Sequence, residues 1–473
     1  MSQDRRSEIN RVFELQRARR WEIAKTGVEA RREKLRRWKT AVIEHREEIA
    51  RAIHADFRKH PTEVEVTEVH PVIDEINFAI KNLAGWMAPQ RVKTPVSLWG
   101  TRSEIRYEPR GVCLIFAPWN YPFSLLANPL TAALAAGNCV VTKPSEKTPQ
   151  LAACFEKLVR GLFDESEVAV VQGGAEAGDA LLELPFDHIF FTGSTRIGKR
   201  VAEAAARHLT PVTLELGGKS PVILDEACDL DEAARRTVWG KFINAGQTCI
   251  APDYVFVPRS RERAFLDAVK RWIASFYGAT EEARKDNGDF CRLVDVGSFE
   301  RIRGLVERSL SAGAHLEIGG RYDAESRYIA PTVLSGVRPE HAIMSEEIFG
   351  PVLPVLPFED WREVYAYIQK GGKPLALYVF SNRADRTEEV IRETTAGGTA
   401  VNQALLHYAN PHLPFGGTGE SGQGSYHGFF GFKTFSHERA ILRQRGPNLT
   451  RFLYPPYGTE LQRKVLRALR RME

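Results

Sequence analysis

The feature that most restricts this chain is a change of rhythm near residue 112. From there, short apolar runs at 112–117, 139–142, 168–172 and His188–Thr192 alternate with helix-length segments that end near Gly137 and Gly161 or begin near Thr148. Runs of that length predict strands, and strands separated by helices require crossover connections, hence βαβ units and a parallel sheet. The most apolar stretch, 123–141, is interrupted by Asn128, Pro129, Gly137 and Asn138. It predicts a buried helix followed by a strand, not a membrane span. A second α/β region is expected from about residue 212, with strands at 221–225, 254–257 and 375–381. The helix expected at 231–242 has Asp229 or Asp231 available as its cap. In open parallel sheets, ligands collect beyond the carboxyl ends of the strands. Asn120, Lys143, Glu146, Gly193 and Ser194 all fall just after proposed strands.

The flanking regions are simpler. Residues 1–60 are dense in Arg, Glu, Lys and Ala, and Leu35, Trp38, Val42, Ile49, Ile53 and Phe57 recur at helical spacing. This predicts amphipathic helix, with the arginine cluster at 31–37 on its solvated face. A further helix is expected over 65–88 and an extended hairpin over 91–110. The irregularly spaced glycines of 414–431 predict tight turns and close backbone approach around a site or interface.

A chain of 473 residues supports two or three domains. Its net charge of +5 is spread thinly, and neither zinc-finger spacing nor an RNA-binding aromatic motif accompanies it, so no nucleic-acid partner is expected. Residues 1–10 are too polar for a secretory segment, which makes the expected location cytoplasmic. The six cysteines (113, 139, 154, 228, 249 and 291) are scattered and read as reduced thiols. Most suit the role of small hydrophobes.

Cys249 differs because of its company. It sits in Asn244-Ala245-Gly246-Gln247-Thr248-Cys249, on a loop between a predicted helix and strand; Glu215-Leu216-Gly217-Gly218-Lys219-Ser220 precedes it, and Ala117-Pro118-Trp119-Asn120 lies earlier. These supply a thiol nucleophile, a carboxylate able to activate water, and an amide able to hold an oxyanion. Singly, each has a plainer reading: a core thiol, a capping acid, a turn former. Gly193-Ser194-Thr195-Arg196-Ile197-Gly198 departs from GxGxxG. It reads either as a glycine-punctuated helix start or as a diphosphate cradle. Lys143 and Glu146 can bond ribose hydroxyls, and Glu347 stands in a polar step before Ile348-Phe349-Gly350. The histidines lack metal-ligand spacing, so no metal is expected.

With these motifs in view, the chain resembles the aldehyde dehydrogenase superfamily. The likeness rests on APWNYP at 117–122, KPSE at 143–146, FTGSTRIG at 191–198, ELGGKS at 215–220, GQTC at 246–249, EEIFGP at 346–351 and LPFGG at 413–417. Tyr426-His427-Gly428, Thr434-Phe435-Ser436-His437 and Tyr454-Pro455-Pro456 are similar to the class 3, fatty or aromatic aldehyde branch. The resemblance implies an α/β fold with a modified Rossmann-type nucleotide-binding domain (1–90 and 109–211) and an α/β catalytic domain (212–411). It also implies a small β-rich oligomerisation element (91–108 with 412–445) and leaves a basic tail at 446–473. It further implies Cys249 as nucleophile, Glu215 as general base and Asn120 as oxyanion donor. Trp119, Lys143, Glu146, Gly193, Ser194, Gly198, Glu347 and Phe349 would then contact the cofactor, Glu347 through the nicotinamide ribose with Phe349 bordering it. The implied reaction is oxidation of a hydrophobic aliphatic or aromatic aldehyde to its acid through a thiohemiacetal and a thioester. NAD is the favoured cofactor, since Glu146 repels a 2′-phosphate, with NADP accommodated by Lys143. Tyr121, Trp239, Phe242, Phe429 and Phe430 are candidate substrate contacts. A homodimer is expected, with no transmembrane segment and weak peripheral membrane contact through the tail. Two other classes stay open at this point: a nucleotide-binding or structural oligomer without turnover, and an interaction protein using its basic helices.

Overall fold

The alternation of strand and helix does build two parallel sheets. The computed structural model describes residues 3–448 and 454–470. The first sheet has the strand order Gly422–Gln423, Val212–Glu215, His188–Thr192, Val112–Phe116, Cys139–Lys143 and Val168–Val170, parallel except for its first pair. Its central strands are buried on both faces, as crossover helices require. The predicted buried helix is Ser124–Ala136, and Gly137 ends it in a left-handed conformation at φ 88°.

One boundary moves. Val212–Glu215, expected to open the second region, pairs in parallel with His188–Thr192 in the first sheet. The chain therefore crosses between sheets after Glu215, within Leu216-Gly217-Gly218, and Glu215 stands at that crossing. The second sheet runs His315–Ile318, Thr332–Ser335, Val352–Phe358, Tyr254–Pro258, Pro221–Leu224, Ala376–Phe380 and Gly398–Val401. Its helix Leu230–Phe242 is capped by Asp229, which accepts from the Glu232 amide at 3.1 Å. A third, small sheet joins Gln90–Val92, Thr101–Pro109 and Ser436–Gln444 in antiparallel register. The hairpin expected over 91–110 is thus completed by a strand more than 300 residues downstream.

The N-terminal region forms three helices, Gln3–Ala24, Val28–Glu44 and Arg46–Phe57, where the spacing predicted one amphipathic pattern. Leu35, Trp38, Val42, Ile49, Ile53 and Phe57 are all fully buried. Trp38 Nε1 donates to Thr131 Oγ1 at 3.0 Å, which satisfies the indole inside the core. The arginine cluster is not wholly solvated: Arg31 is 3% exposed. Its guanidinium donates to the carbonyls of Ala135 (3.1 Å), Ala136 (2.6 Å) and Ala24 (3.0 Å). Those alanine carbonyls end a helix and lack partners within it, and a planar five-donor group can serve several at once. Gly137 has no Cβ because one would meet that guanidinium.

Of the 446–473 tail, residues 449–453 and 471–473 lie outside the described residues. Glu460–Leu469 is a helix that leaves Leu461 and Leu466 half exposed. Among the described residues, no helix is long and apolar enough to cross a membrane.

Candidate active site

Cys249 lies on the loop between the short turn Ile243–Gly246 and the strand Tyr254–Pro258, and it is the one partly exposed cysteine of six. It lines two cavities. One, of about 540 Å³, is walled by Trp119, Asn120, Gly193, Ser194, Glu215, Glu347 and Phe349 among others. The other, of about 230 Å³, is walled chiefly by apolar side chains, including Leu125, Trp239, Ile243, Leu405, Leu406 and Phe415. The thiol therefore stands where a polar cleft meets an apolar pocket. A larger groove of about 1060 Å³ between the first helix and Val168–Val170 shares no lining residue with either.

Each strand end delivers one component. Asn120 follows Val112–Phe116 and is buried, with Nδ2 donating to Gln247 O at 3.0 Å. An amide nitrogen carries two hydrogens, so one remains for a ligand. Glu215 ends its strand with both carboxylate oxygens buried and without a partner. Its neighbour Gly416 brings backbone against it, and a Cβ there would lie 3.1 Å from Glu215 Oε1 while striking Gly424 O. This is the close approach expected of the 414–431 glycines. Burial holds the Glu215 carboxyl well above its ordinary range. The same effect pushes Glu347 up to about 8, with Asp253 adding to it and the Gly218 amide and Lys219 opposing.

Burial also pushes the Cys249 thiol up to about 12, reinforced by the carboxylates of Glu347 and Glu215. Near neutral pH the thiol form therefore predominates. Iodoacetamide labelling of Cys249 in nucleotide-free protein is accordingly expected to rise steadily from pH 7 to pH 10. Peptide mass spectrometry across that range tests it, and a plateau near neutrality would show a thiol activated by the protein alone.

The cleft has features a dinucleotide would use. The helix Thr195–Ala206 opens at Ser194, and its first amides lack partners within it. Gly193 lets the backbone turn where a Cβ would press on the Phe191 ring at 2.6 Å. Glu347 Oε1 is buried without a partner, and Phe349, left-handed at φ 48°, meets Trp119 edge to face at 5.3 Å. These residues fit the group.

Three expected contacts stand outside that cavity wall. Gly198 is outside the cleft wall: its amide donates to Ser194 O, and a Cβ would meet Leu216 at 2.6 Å, so the glycine serves helix–strand packing. Lys143 and Glu146 stand at the end of Cys139–Lys143 but pair with each other at 3.2 Å, also outside that wall. Of the candidate substrate contacts, Tyr121 and Trp239 line the apolar pocket. Phe242 instead packs on Tyr277, and Phe429 on Trp86 and Tyr107; Phe430 is not in the pocket wall either.

Sequence reading missed the residues that hold the Glu347 loop. Arg301 donates to Glu347 O at 3.2 Å and Ile348 O at 2.7 Å, and Lys219 donates to Glu346 O at 2.8 Å. Asp253 accepts from the Ile348 amide at 3.1 Å. Arg301 is one of several arginines on its helix, with nothing in the sequence to mark it.

A thiol where a cleft with features a dinucleotide would use meets an apolar pocket, with a buried carboxylate lining the same cleft, fits a covalent oxidoreductase. A model of the aldehyde dehydrogenase family matches residues 1–441. The chain is 42% identical over 427 residues to 4,4′-diaponeurosporen-aldehyde dehydrogenase of Staphylococcus aureus, covering 90% of this chain and 92% of the relative. It is 41% identical over 433 residues to the dimeric NADP-preferring aldehyde dehydrogenase of Mus musculus, covering 91% and 94%. The substrate-bound structure of Staphylococcus aureus AldH superposes with a TM-score of 0.93 at 39% identity, covering 98% and 99%. The chain belongs to the aldehyde dehydrogenase family. It is an enzyme that oxidises aldehydes with NAD(P) through a catalytic cysteine.

Proposed function

We propose that Cys249 is that cysteine and that the substrates are hydrophobic aldehydes, aliphatic or aromatic, converted to carboxylic acids. The observation that carries this reading is the position of Cys249, in the wall of the apolar pocket and of the polar cleft together. An aldehyde enters with its chain among Leu125, Trp239 and Phe415; the Cys249 thiol gives up its proton to water in the cleft, and Sγ adds to the carbonyl carbon. The free N–H of Asn120 Nδ2 and the Cys249 backbone amide receive the oxyanion of the thiohemiacetal. The bound nicotinamide supplies the acceptor for the hydride. Glu215 then takes a proton from water, which attacks the thioester, releases the acid and restores the thiol. Gly193, Ser194, Glu347, Phe349 and Trp119 hold the dinucleotide in this reading, and Lys143 and Glu146 its outer ribose.

NAD is the favoured cofactor, since the exposed Glu146 carboxylate repels a 2′-phosphate. NADP is accepted when Lys143 exchanges its pairing with Glu146 for the phosphate, and the mouse relative named as NADP-preferring makes that exchange reasonable. The name of that relative also supports a dimer, with the sheet of Gln90–Val92, Thr101–Pro109 and Ser436–Gln444 as the joining element. We place the enzyme in the cytoplasm. Exposed Leu461 and Leu466 beside Arg463 and Lys464 support peripheral membrane contact by the tail.

The test is a series of linear aldehydes from propanal to dodecanal, with benzaldehyde and cinnamaldehyde, each with NAD and with NADP. Values of kcat/KM should climb with chain length by about threefold per buried methylene until the pocket fills. A preference for propanal, or no dependence on length, would overturn the hydrophobic substrate class.

A further inference from the structure

Asn120 and Cys249 come from different parts of the fold, one after a strand of the first sheet and the other before a strand of the second. Their separation is held by a third segment, residues 59–68, between the N-terminal helices and the first sheet. Asn244 is where the contacts converge. Its backbone is left-handed at φ 54°, as is that of Ala245 at φ 50°. Its side-chain amide donates to Asn120 O at 2.9 Å and Gln247 O at 3.0 Å, the same carbonyl that accepts from Asn120 Nδ2. The Asn244 backbone N–H donates to Glu63 Oε1 at 2.9 Å.

The other end of the segment grips the Asn120 turn. Glu68 Oε2 accepts from the amides of Phe123 (3.1 Å) and Ser124 (2.9 Å), and Glu68 Oε1 accepts from Lys59 Nζ at 3.1 Å. Lys59 Nζ also lies 4.0 Å from the centroid of the Tyr121 ring, whose hydroxyl bonds Thr248 Oγ1 at 2.7 Å. Lys59 and Glu68 are both fully buried. A buried charged pair tolerates little movement, because any separation leaves an uncompensated charge. Neither Glu63 nor Asn244 lines either cavity at Cys249.

We propose that Glu63 and Asn244 are positioning residues that fix the side-chain amide of Asn120 relative to Cys249 Sγ, with Glu68 and Lys59 anchoring the opposite side of the turn. The inference rests on reading Asn120 as the oxyanion donor. A displacement of about 1 Å at reacting groups can lower a rate about 10²-fold, so a brace acting through another residue has a measurable effect without touching substrate.

The experiment is a double-mutant cycle on the full-length enzyme with decanal and NAD, comparing Glu63→Leu, Asn120→Ala and the two combined. Asn120→Ala should lower kcat about 10²- to 10³-fold, and Glu63→Leu about 30-fold with KM for NAD held within about twofold. Combined, they should fall no more than about threefold below Asn120→Ala alone, because the brace has nothing left to position. Glu63→Gln keeps an oxygen acceptor and should retain at least about one third of the rate. Losses that multiply in the double variant, or a Glu63→Gln loss as deep as that of leucine, would remove the brace while leaving the oxyanion assignment in place. An Asn120→Ala enzyme of unaltered kcat would remove both. If Glu63→Leu does not fold, Asn244→Asp, which keeps the shape but loses the donating amide, goes through the same cycle with the same expected outcomes.

Discussion

Replacing Cys249 with alanine is expected to lower kcat/KM for aldehyde oxidation by at least about 10⁴-fold, while NAD binding stays within about twofold of the unsubstituted protein. The size of the loss follows from the absence of any substitute. The other five cysteines are buried, and burial raises all five thiols. The remaining machinery, Asn120 and Glu215, can polarise an aldehyde or a water molecule but cannot form the acyl intermediate. Retained NAD binding follows from the cleft wall, where Gly193, Ser194, Glu347 and Phe349 do not depend on the sulfur. Reduced-nicotinamide absorbance with decanal measures the first quantity, and titration calorimetry with NAD the second. Turnover of the alanine protein within a factor of about ten would mean that the nucleophile lies elsewhere.

The energetic state of the site gives this prediction its physical sense. Glu215, Glu347 and Cys249 are three acids raised first of all by burial, which for Glu347 the Gly218 amide and Lys219 partly compensate. Burial favours the neutral form of each, and a positive charge brought into the cleft would favour the ionised form of all three together. In the nucleotide-free protein Cys249 is thus expected to be a weak nucleophile, and its labelling at neutral pH reports that.

What the sequence made legible was whatever depends on local pattern. The strand at His188–Thr192 matches its expected bounds, and Pro221–Leu224, Tyr254–Pro258 and Ala376–Phe380 fall within a residue of theirs, because buried parallel strands are short apolar runs bounded by turn residues. Asn120, Glu215 and Cys249 were grouped by the chemistry of their motifs and by family resemblance, and one cleft is lined by all three. Misreadings arose where tertiary contacts decide. Arg31 belongs to a charge run that reads as solvated, yet two of the three carbonyls it serves are more than 100 residues away. Val212–Glu215 carries no mark of which sheet it joins, since edge order is settled by pairing with His188–Thr192. Gly198 shares a motif with Gly193, and only the folded chain shows that a helix turn brings it against Leu216. Glu63 and Glu68 were invisible for a further reason. An acid in a helical stretch is almost always on the surface, and only the folded chain shows these two turned inward upon Asn244 and Ser124.

Glu215→Gln is expected to separate the two halves of the reaction. Acylation needs Cys249 and Asn120, so the first turnover should still release close to one equivalent of reduced nicotinamide per active site. Hydrolysis needs a base for water. Glu215 is well placed for that: both oxygens are buried, neither has a partner, and both it and Cys249 line the same cleft. Its raised pKa means a proton, once taken, is held without the cost of a buried charge. Glutamine fills the same volume against Gly416 and cannot accept that proton, so steady-state kcat should fall about 10²- to 10⁴-fold. Rapid mixing with decanal and NAD should therefore show a burst followed by a slow phase, and intact-mass spectrometry should find the acyl group on Cys249. The pH dependence has a definite sign. A base with a raised pKa works only when ionised, so kcat of the unsubstituted enzyme should rise with pH from neutrality upward, and the slow phase of Glu215→Gln should lose that rise. A Glu215→Gln enzyme with no burst and a low, single-phase rate would place the carboxylate in acylation instead. One with unaltered kcat would make another group the base, and Glu347, raised to about 8 in the same cleft, would be the next residue to change.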